Sequence, residues 1–162
     1  MWAACCLGFF GFLRCGEFTC QSWSTYDSLM LSPGDIQVAS ITNPTVQQVT
    51  LRRSKTDTFG AGVTIHLGRS DDILCPVKAV LAYLAVRPAM PGPLFLPSSG
   101  VPLSRQFLVA TIRRDLSSCG LDITRFNGHS FRIGAATTAA QAGLPDSRIQ
   151  LLGRWKLSSF TS

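Results

Sequence analysis

Two short stretches of the sequence place a cationic side chain beside another ionisable group. In "GHSFR", His129 and Arg132 are three residues apart, a spacing that brings both side chains to one face of a helix. In "LRCGEF", Arg14 is followed three residues later by Glu17. A guanidinium binds anions through a planar pair of donors, and an imidazole can transfer a proton near neutral pH. The first pair can therefore hold an anion and move a proton beside it.

Two further stretches carry polar residues with an ordinary structural interpretation as well as a chemical one. Lys55 lies at the entrance of "SKTDTFGAG", whose glycines and polar residues predict a hairpin turn. A lysine in such a turn is usually only solvated. "GRW" contains Arg154 and Trp155, which can equally be a helix end with a capping arginine and a core tryptophan. Each of these residues taken singly is a weak signal.

Hydrophobic periodicity and turn residues predict the elements that must position these side chains. The prediction is an α+β chain, mainly α, with a small three-stranded antiparallel sheet inserted early. The predicted helices lie at 1–21 (two, broken near Gly11), 75–88, 104–119, around 129–142 and 145–152, and the strands at 34–40, 46–53 and 63–68.

Composition limits the class of protein. The chain has 162 residues, 46% hydrophobic and 15% charged, which is typical of a globular domain. Fifteen Lys and Arg against nine Asp and Glu give a net charge of +6, which favours an anionic partner such as nucleic acid or a membrane surface. The apolar run from Trp2 to Leu13 is too short to cross a bilayer and lacks a signal peptide's basic start, so a buried core helix is predicted. The six cysteines form no CxxC pair, which predicts reduced thiols in an intracellular protein.

The order of the motifs along the chain is a stronger signal than any of these residues taken singly. "GFLRCGEFT", "LRRSKTDTFGAG" and "GHSFRIGAATTAAQAGLPDSRIQLLGRW" follow one another along nearly the whole chain. This series resembles the catalytic domain of tyrosine recombinases, the phage-integrase family, and is most similar to those of eukaryotic mobile elements of the DIRS and Crypton kinds. The family motif is Arg, a hairpin Lys, HxxR, then His or Trp, then Tyr. The catalytic residues that the resemblance implies are Arg14, Lys55, His129, Arg132 and Trp155, with Glu17 in support.

The resemblance implies DNA breakage and rejoining through a 3′-phosphotyrosyl bond, as in recombination and integration, with no metal and no cofactor. Arg14 and Arg132 would offset charge on the pentacoordinate phosphorus, and His129 would act as base or as a further donor. Lys55 would protonate the leaving 5′-oxygen. Trp155 would donate its indole N–H to a phosphate oxygen, with Arg154 as the competing candidate for that position.

The nucleophile departs from the family pattern. The two tyrosines, Tyr26 and Tyr83, both precede HxxR, and the family spacing puts the attacking tyrosine just beyond Ser162. We therefore expect residues 1–162 to be a single catalytic domain truncated at both ends, without the N-terminal core-binding domain or the nucleophile helix, and inactive alone.

The expected partner is duplex DNA, with no membrane. The family acts as a tetramer on paired sites, whereas a monomer is expected here. The expected location is intracellular, and nuclear in a eukaryote. The alternative function is that of a degenerate or co-opted module that binds DNA without cutting it.

Overall fold

Six α-helices and a three-stranded sheet lie within the described residues of the computed structural model, which are 1–40, 42–53 and 60–155. The mainly helical α+β prediction is confirmed. In chain order the elements are α1 (Trp2–Phe10), α2 (Cys15–Phe18), 3₁₀ turns at Trp23–Thr25 and Pro33–Asp35, β1 (Ile36–Val38), β2 (Val46–Leu51), β3 (Val63–Gly68), α3 (Pro76–Val86), α4 (Arg105–Ser118), α5 (Ser130–Gln141) and α6 (Asp146–Gly153).

Helix α1 forms the centre of the core, as its apolar sequence predicts. Leu7 is fully buried, and the helix packs against α3 and α5. Gly8 permits a close approach, because a Cβ there would lie 3.1 Å from the ring of Phe18 and 3.4 Å from that of Phe131. Since Phe131 directly precedes Arg132, this packing fixes the start of α5 relative to α1.

The sheet is a meander in the order β1-β2-β3, with both pairs antiparallel. Val49 of β2 lies opposite Ile36 on one side and Ile65 on the other. Alternate residues of β2 are buried, as the period of a half-buried strand requires. The connection between β2 and β3 spans 52–62, and Lys55, for which a hairpin turn was predicted, lies in 54–59, outside the described residues.

Gln47 is an amide in the apolar face of β2. It is completely buried, and neither its Oε1 nor its Nε2 has a hydrogen-bond partner among residues 1–40, 42–53 and 60–155. Burying an unpaired amide costs about 1–3 kcal/mol. We therefore expect Gln47→Met to raise the free energy of unfolding by about 1–2 kcal/mol, measured by thermal denaturation followed by circular dichroism. Gln48→Met on the exposed face is the matched control, expected to change little. A lower melting temperature for Gln47→Met would show that the amide is paired.

The connection from α3 to α4 is a long loop held by side chains rather than a strand. No strand forms at Leu94–Leu96, although these residues are buried. The guanidinium of Arg87 donates to the carbonyl oxygens of Leu94, Pro88, Met90 and Pro93 at 2.7–2.9 Å. The hydroxyl of Tyr83 accepts from the Leu96 N–H at 2.7 Å. These bonds replace the backbone ladder that the loop lacks.

No helix in the described part of the chain is long and apolar enough to cross a membrane. The six cysteines are free thiols, and all except Cys5 and Cys119 are buried. Among residues 1–40, 42–53 and 60–155, no three His, Cys, Asp or Glu side chains are grouped so that they could hold a metal ion.

Candidate phosphate-binding site

Arg14 and Glu17 are held together by the turn that follows α1. Phe12 adopts a left-handed conformation, with φ of 50°, and turns the chain so that Arg14 becomes the residue capping α2. The Arg14 N–H donates to Glu17 Oε2 at 2.8 Å, and its guanidinium Nη1 donates to Glu17 Oε1 at 3.2 Å. Glu17 therefore binds both the backbone and the side chain of Arg14.

Arg154 reaches the same carboxylate from the end of α6. Its φ of 53° is in the left-handed region that favours glycine, and it directs the side chain back toward α1. The guanidinium donates to Glu17 Oε2 at 2.8 Å and to the carbonyl oxygens of Gly11 and Phe12 at 3.3 Å. Both terminal nitrogens of Arg154 thus bind protein acceptors.

Arg132, in the first turn of α5, is a buried cation. The residue is 4% exposed, and its Nε, Nη1 and Nη2 have no hydrogen-bond partner in the described ranges. Its Cζ lies 4.5 Å from the ring centroid of Trp155, a cation–π contact. Trp155 in turn packs edge-on against Phe12, with 6.4 Å between ring centroids.

The charges at this position are unbalanced. The three guanidiniums of Arg14, Arg132 and Arg154 share one carboxylate, Glu17. Burial lowers the pKa of Arg132 to about 10, and repulsion by Arg14 and Arg154 adds to the fall while Glu17 opposes it. Burial also lowers the pKa of Arg154, against the attraction of Glu17. A bound anion with several acceptor oxygens would relieve this excess positive charge.

His129 faces the same region from the residue before α5. It is exposed, and its backbone N–H donates to Asn127 Oδ1 at 2.8 Å. It lines a cleft of about 470 Å³ with Arg14 and Glu17. The remaining lining residues are Cys15, Gly16, Arg53, Arg105 and Gly128.

The structure brings most of the candidate residues together. Arg14 and His129 share the cleft, and Arg132 lies within electrostatic reach of Arg14 and in contact with Trp155. Arg154 joins them through Glu17. Lys55 lies outside the described residues. These positions describe geometry, and the catalytic role of each residue remains a prediction.

The cleft also contains two further arginines, and neither tyrosine lies in it. Arg53 and Arg105 were not among the predicted site residues. Arg53 follows Arg52, and such a basic pair is a recognisable sequence signal. Nothing in the sequence near Arg105 connects that residue to the HxxR motif. The hydroxyl of Tyr83 is bound to the Leu96 N–H, and Tyr26 lines a different cleft beside Arg87. Neither tyrosine lines the cleft of Arg14 and His129.

Comparison with known proteins identifies the fold. No protein-family model and no curated protein matches the sequence. Among solved structures, the XerH site-specific recombinase bound to its difH substrate before cleavage superposes with a TM-score of 0.64, at 16% identity over 93% of this chain and 38% of that chain. The Flpe–Holliday junction complex gives 0.59, at 14% identity over 99% of this chain and 39% of that chain. The Tn1549 transposon integrase with circular intermediate DNA gives 0.55, at 15% identity over 96% and 50%.

These neighbours are tyrosine recombinases and integrases. The fold of this chain is therefore that of a tyrosine-recombinase catalytic domain, as the resemblance predicted. The chain spans 38% to 50% of the length of these solved structures.

Proposed function

We propose that this domain binds duplex DNA and supplies the phosphate-binding site of a recombinase or integrase that breaks and rejoins strands through a 3′-phosphotyrosyl bond. The observation that carries the proposal is the buried guanidinium of Arg132, which has no hydrogen-bond partner in the described chain and lies within electrostatic reach of Arg14. A buried cation without acceptors is costly, and a phosphate oxygen is the acceptor that the fold neighbours' DNA substrates would provide.

The chemistry assigns a task to each candidate residue. A phenolic oxygen attacks phosphorus, a bond to tyrosine forms, and the bond to the 5′-oxygen breaks. Arg14 and Arg132 hold the non-bridging oxygens, where negative charge accumulates. His129 takes the phenolic proton or donates to the phosphate, and Lys55 returns a proton to the leaving 5′-oxygen. The reverse sequence with a new 5′-hydroxyl rejoins the strand, and because the phosphotyrosyl bond keeps the energy of the broken phosphodiester, no nucleotide is consumed.

Trp155 and Arg154 have different tasks in this proposal. Trp155 stacks on the guanidinium of Arg132, and its indole N–H serves a phosphate oxygen. Arg154 has both terminal nitrogens on protein acceptors, so it orients Glu17 and, through it, Arg14. Arg154 therefore supports the site rather than binding the phosphate.

The attacking tyrosine is proposed to come from outside the 162 residues, because Tyr26 and Tyr83 lie away from the cleft. Residues 1–162 would then be one catalytic domain, and the N-terminal core-binding domain would lie outside them. The active species would be a tetramer on paired sites, from a DIRS-like or Crypton-like element acting in the nucleus. The isolated chain would be a monomer.

The absence of Tyr26 and Tyr83 from the cleft also favours a second function, in which no strand is cut. A co-opted copy of such a domain could keep the phosphate cleft and bind DNA without cutting it. The two functions share the binding step and differ in the covalent one.

The test is denaturing electrophoresis of labelled DNA after incubation with the protein. We expect the 162-residue chain to bind duplex DNA but to leave no covalent band. The chain extended along its natural reading frame by about a dozen residues, if they supply a tyrosine, should form an adduct on a nicked suicide substrate. Arg14→Ala should abolish that adduct, since loss of one oxyanion donor costs about 3–4 kcal/mol. The exposed Arg69→Ala is the matched control and should retain it.

Two results would change the proposal. A covalent band from the 162-residue chain would show that the nucleophile lies within it. If the extended chain gives no band on DNA that carries the ends of its own mobile element, the result would favour the non-cleaving module.

A further inference from the structure

We propose that Arg105 binds the DNA phosphate next to the one held by Arg14 and Arg132, and so directs the strand from the cleft into a second groove along α4. This inference rests on the proposed function and adds to it a residue and a strand path.

Arg105 is placed at the cleft by packing on the backbone beside His129. It is the first residue of α4, and its guanidinium lies against Gly128, where a Cβ would fall 2.8 Å from its Cζ. Burial raises the pKa of Cys15, and the nearby charge of Arg105 opposes that rise. Cys15 directly follows Arg14, and all three residues line the same cleft, so Arg105 lies near the candidate phosphate position.

The guanidinium of Arg105 is exposed and makes no hydrogen bond or ion pair with any residue that the structure describes. Several other arginines are occupied: Arg52 binds Asp35, and Arg113 donates to the Phe126 carbonyl. Arg53, across the cleft, pairs with Asp27 at 3.2 Å. Arg105 is therefore a cation at the cleft whose donors remain available to an anion.

Arg105 also marks the border between two grooves. The cleft of Arg14 and His129 adjoins a groove of about 410 Å³, and both are lined by Arg105 and Gly128. The second groove is also lined by Gln21, Gln106, Val109, Ala110, Arg113 and Asn127. A small anion would need only the first cleft. A strand that follows both grooves would pass the guanidinium of Arg105 at their shared border, which suits a polyanion whose phosphates follow one another.

The experiment measures binding of a duplex DNA by fluorescence anisotropy across a salt series, using the 162-residue chain. Arg105→Ala should weaken binding roughly tenfold at low salt and reduce the slope of log affinity against log salt by about 0.9, the value for one phosphate contact. The loss should be the same on two duplexes of unrelated sequence, because a phosphate contact reads no base. Arg69→Ala removes an equal charge from an exposed position outside both grooves and should leave the slope unchanged.

A second variant moves the guanidinium without removing it. Gly128→Ala should displace Arg105 and weaken binding by less than Arg105→Ala does, and the double variant should be no weaker than Arg105→Ala alone. Unchanged affinity and slope in Arg105→Ala, while Arg14→Ala loses binding, would overturn this inference and leave the proposed function standing. Unchanged binding in both variants would overturn the proposed function as well. A loss confined to one duplex would show a base contact instead and overturn the phosphate assignment.

Discussion

Arg132→Met is expected to stabilise the free protein while weakening its binding to DNA. Burial and the neighbouring guanidiniums lower the pKa of Arg132 to about 10, and at about 1.4 kcal/mol for each pKa unit the folded state bears a cost of roughly 3 kcal/mol. Because the folded pKa is below the unfolded one, the cost is complete below about pH 10 and is relieved only as the pH rises from there toward the ordinary arginine pKa. At neutral pH, methionine removes it.

The gain is smaller than the full cost because the cation–π contact with Trp155 is also lost. We expect about 2 kcal/mol, a rise in melting temperature of roughly 4–8 °C by calorimetry. Affinity for duplex DNA should fall roughly ten- to hundredfold, since a charge-assisted hydrogen bond is lost. Arg148→Met, at an exposed position on α6, is the control and should change stability little. A lower melting temperature for Arg132→Met would mean that the guanidinium is already well compensated in the free protein.

Glu17→Gln should be the most destabilising single change at the site. Its carboxylate is 7% exposed and accepts from Arg14 and Arg154 while it also offsets the charge of Arg132. Glutamine keeps the shape but removes the carboxylate charge that faces these three guanidiniums. Breaking a buried ion pair in this way costs about 3–5 kcal/mol. The measurement is the midpoint of chemical denaturation.

Two further variants identify the cause of that loss. Asp115→Asn breaks an ion pair whose side chains are 59% and 76% exposed, and it should cost under about 1 kcal/mol. If uncompensated charge is the reason, Arg154→Gln added to Glu17→Gln should recover part of the stability. No recovery would assign the loss to hydrogen bonds instead, and a neutral Glu17→Gln would contradict the charge argument altogether.

Local pattern was sufficient to predict the elements. The apolar run of α1 predicted a buried helix, and the alternation in "VTIHLG" predicted β3, because both signals depend on neighbours within a few residues. The spacing of His129 and Arg132 likewise predicted that one helix end would carry both. That Arg14 would lie near this pair was predicted only from the resemblance to tyrosine recombinases.

What sequence could not predict depends on distant backbone geometry. Arg105 reaches the cleft because Gly128 has no side chain, which no local pattern in α4 reports. Arg154 points to Glu17 because its own backbone is left-handed, a conformation that sequence disfavours for arginine. The stacking of Trp155 on Arg132 follows from that same turn.

The bonds of Arg154 also bear on the order in which the protein folds. They join residues 143, 142 and 137 positions apart in the chain, from Gly11, Phe12 and Glu17 to α6. Closing a loop of this length costs more entropy than forming local contacts, so we expect these bonds to form after the local helices and the β-meander. The cationic cluster would then be completed late in folding. A polyanion bound at this cluster would link the segment after α1 to the end of α6, and so would hold together two parts of the domain that are far apart in the chain.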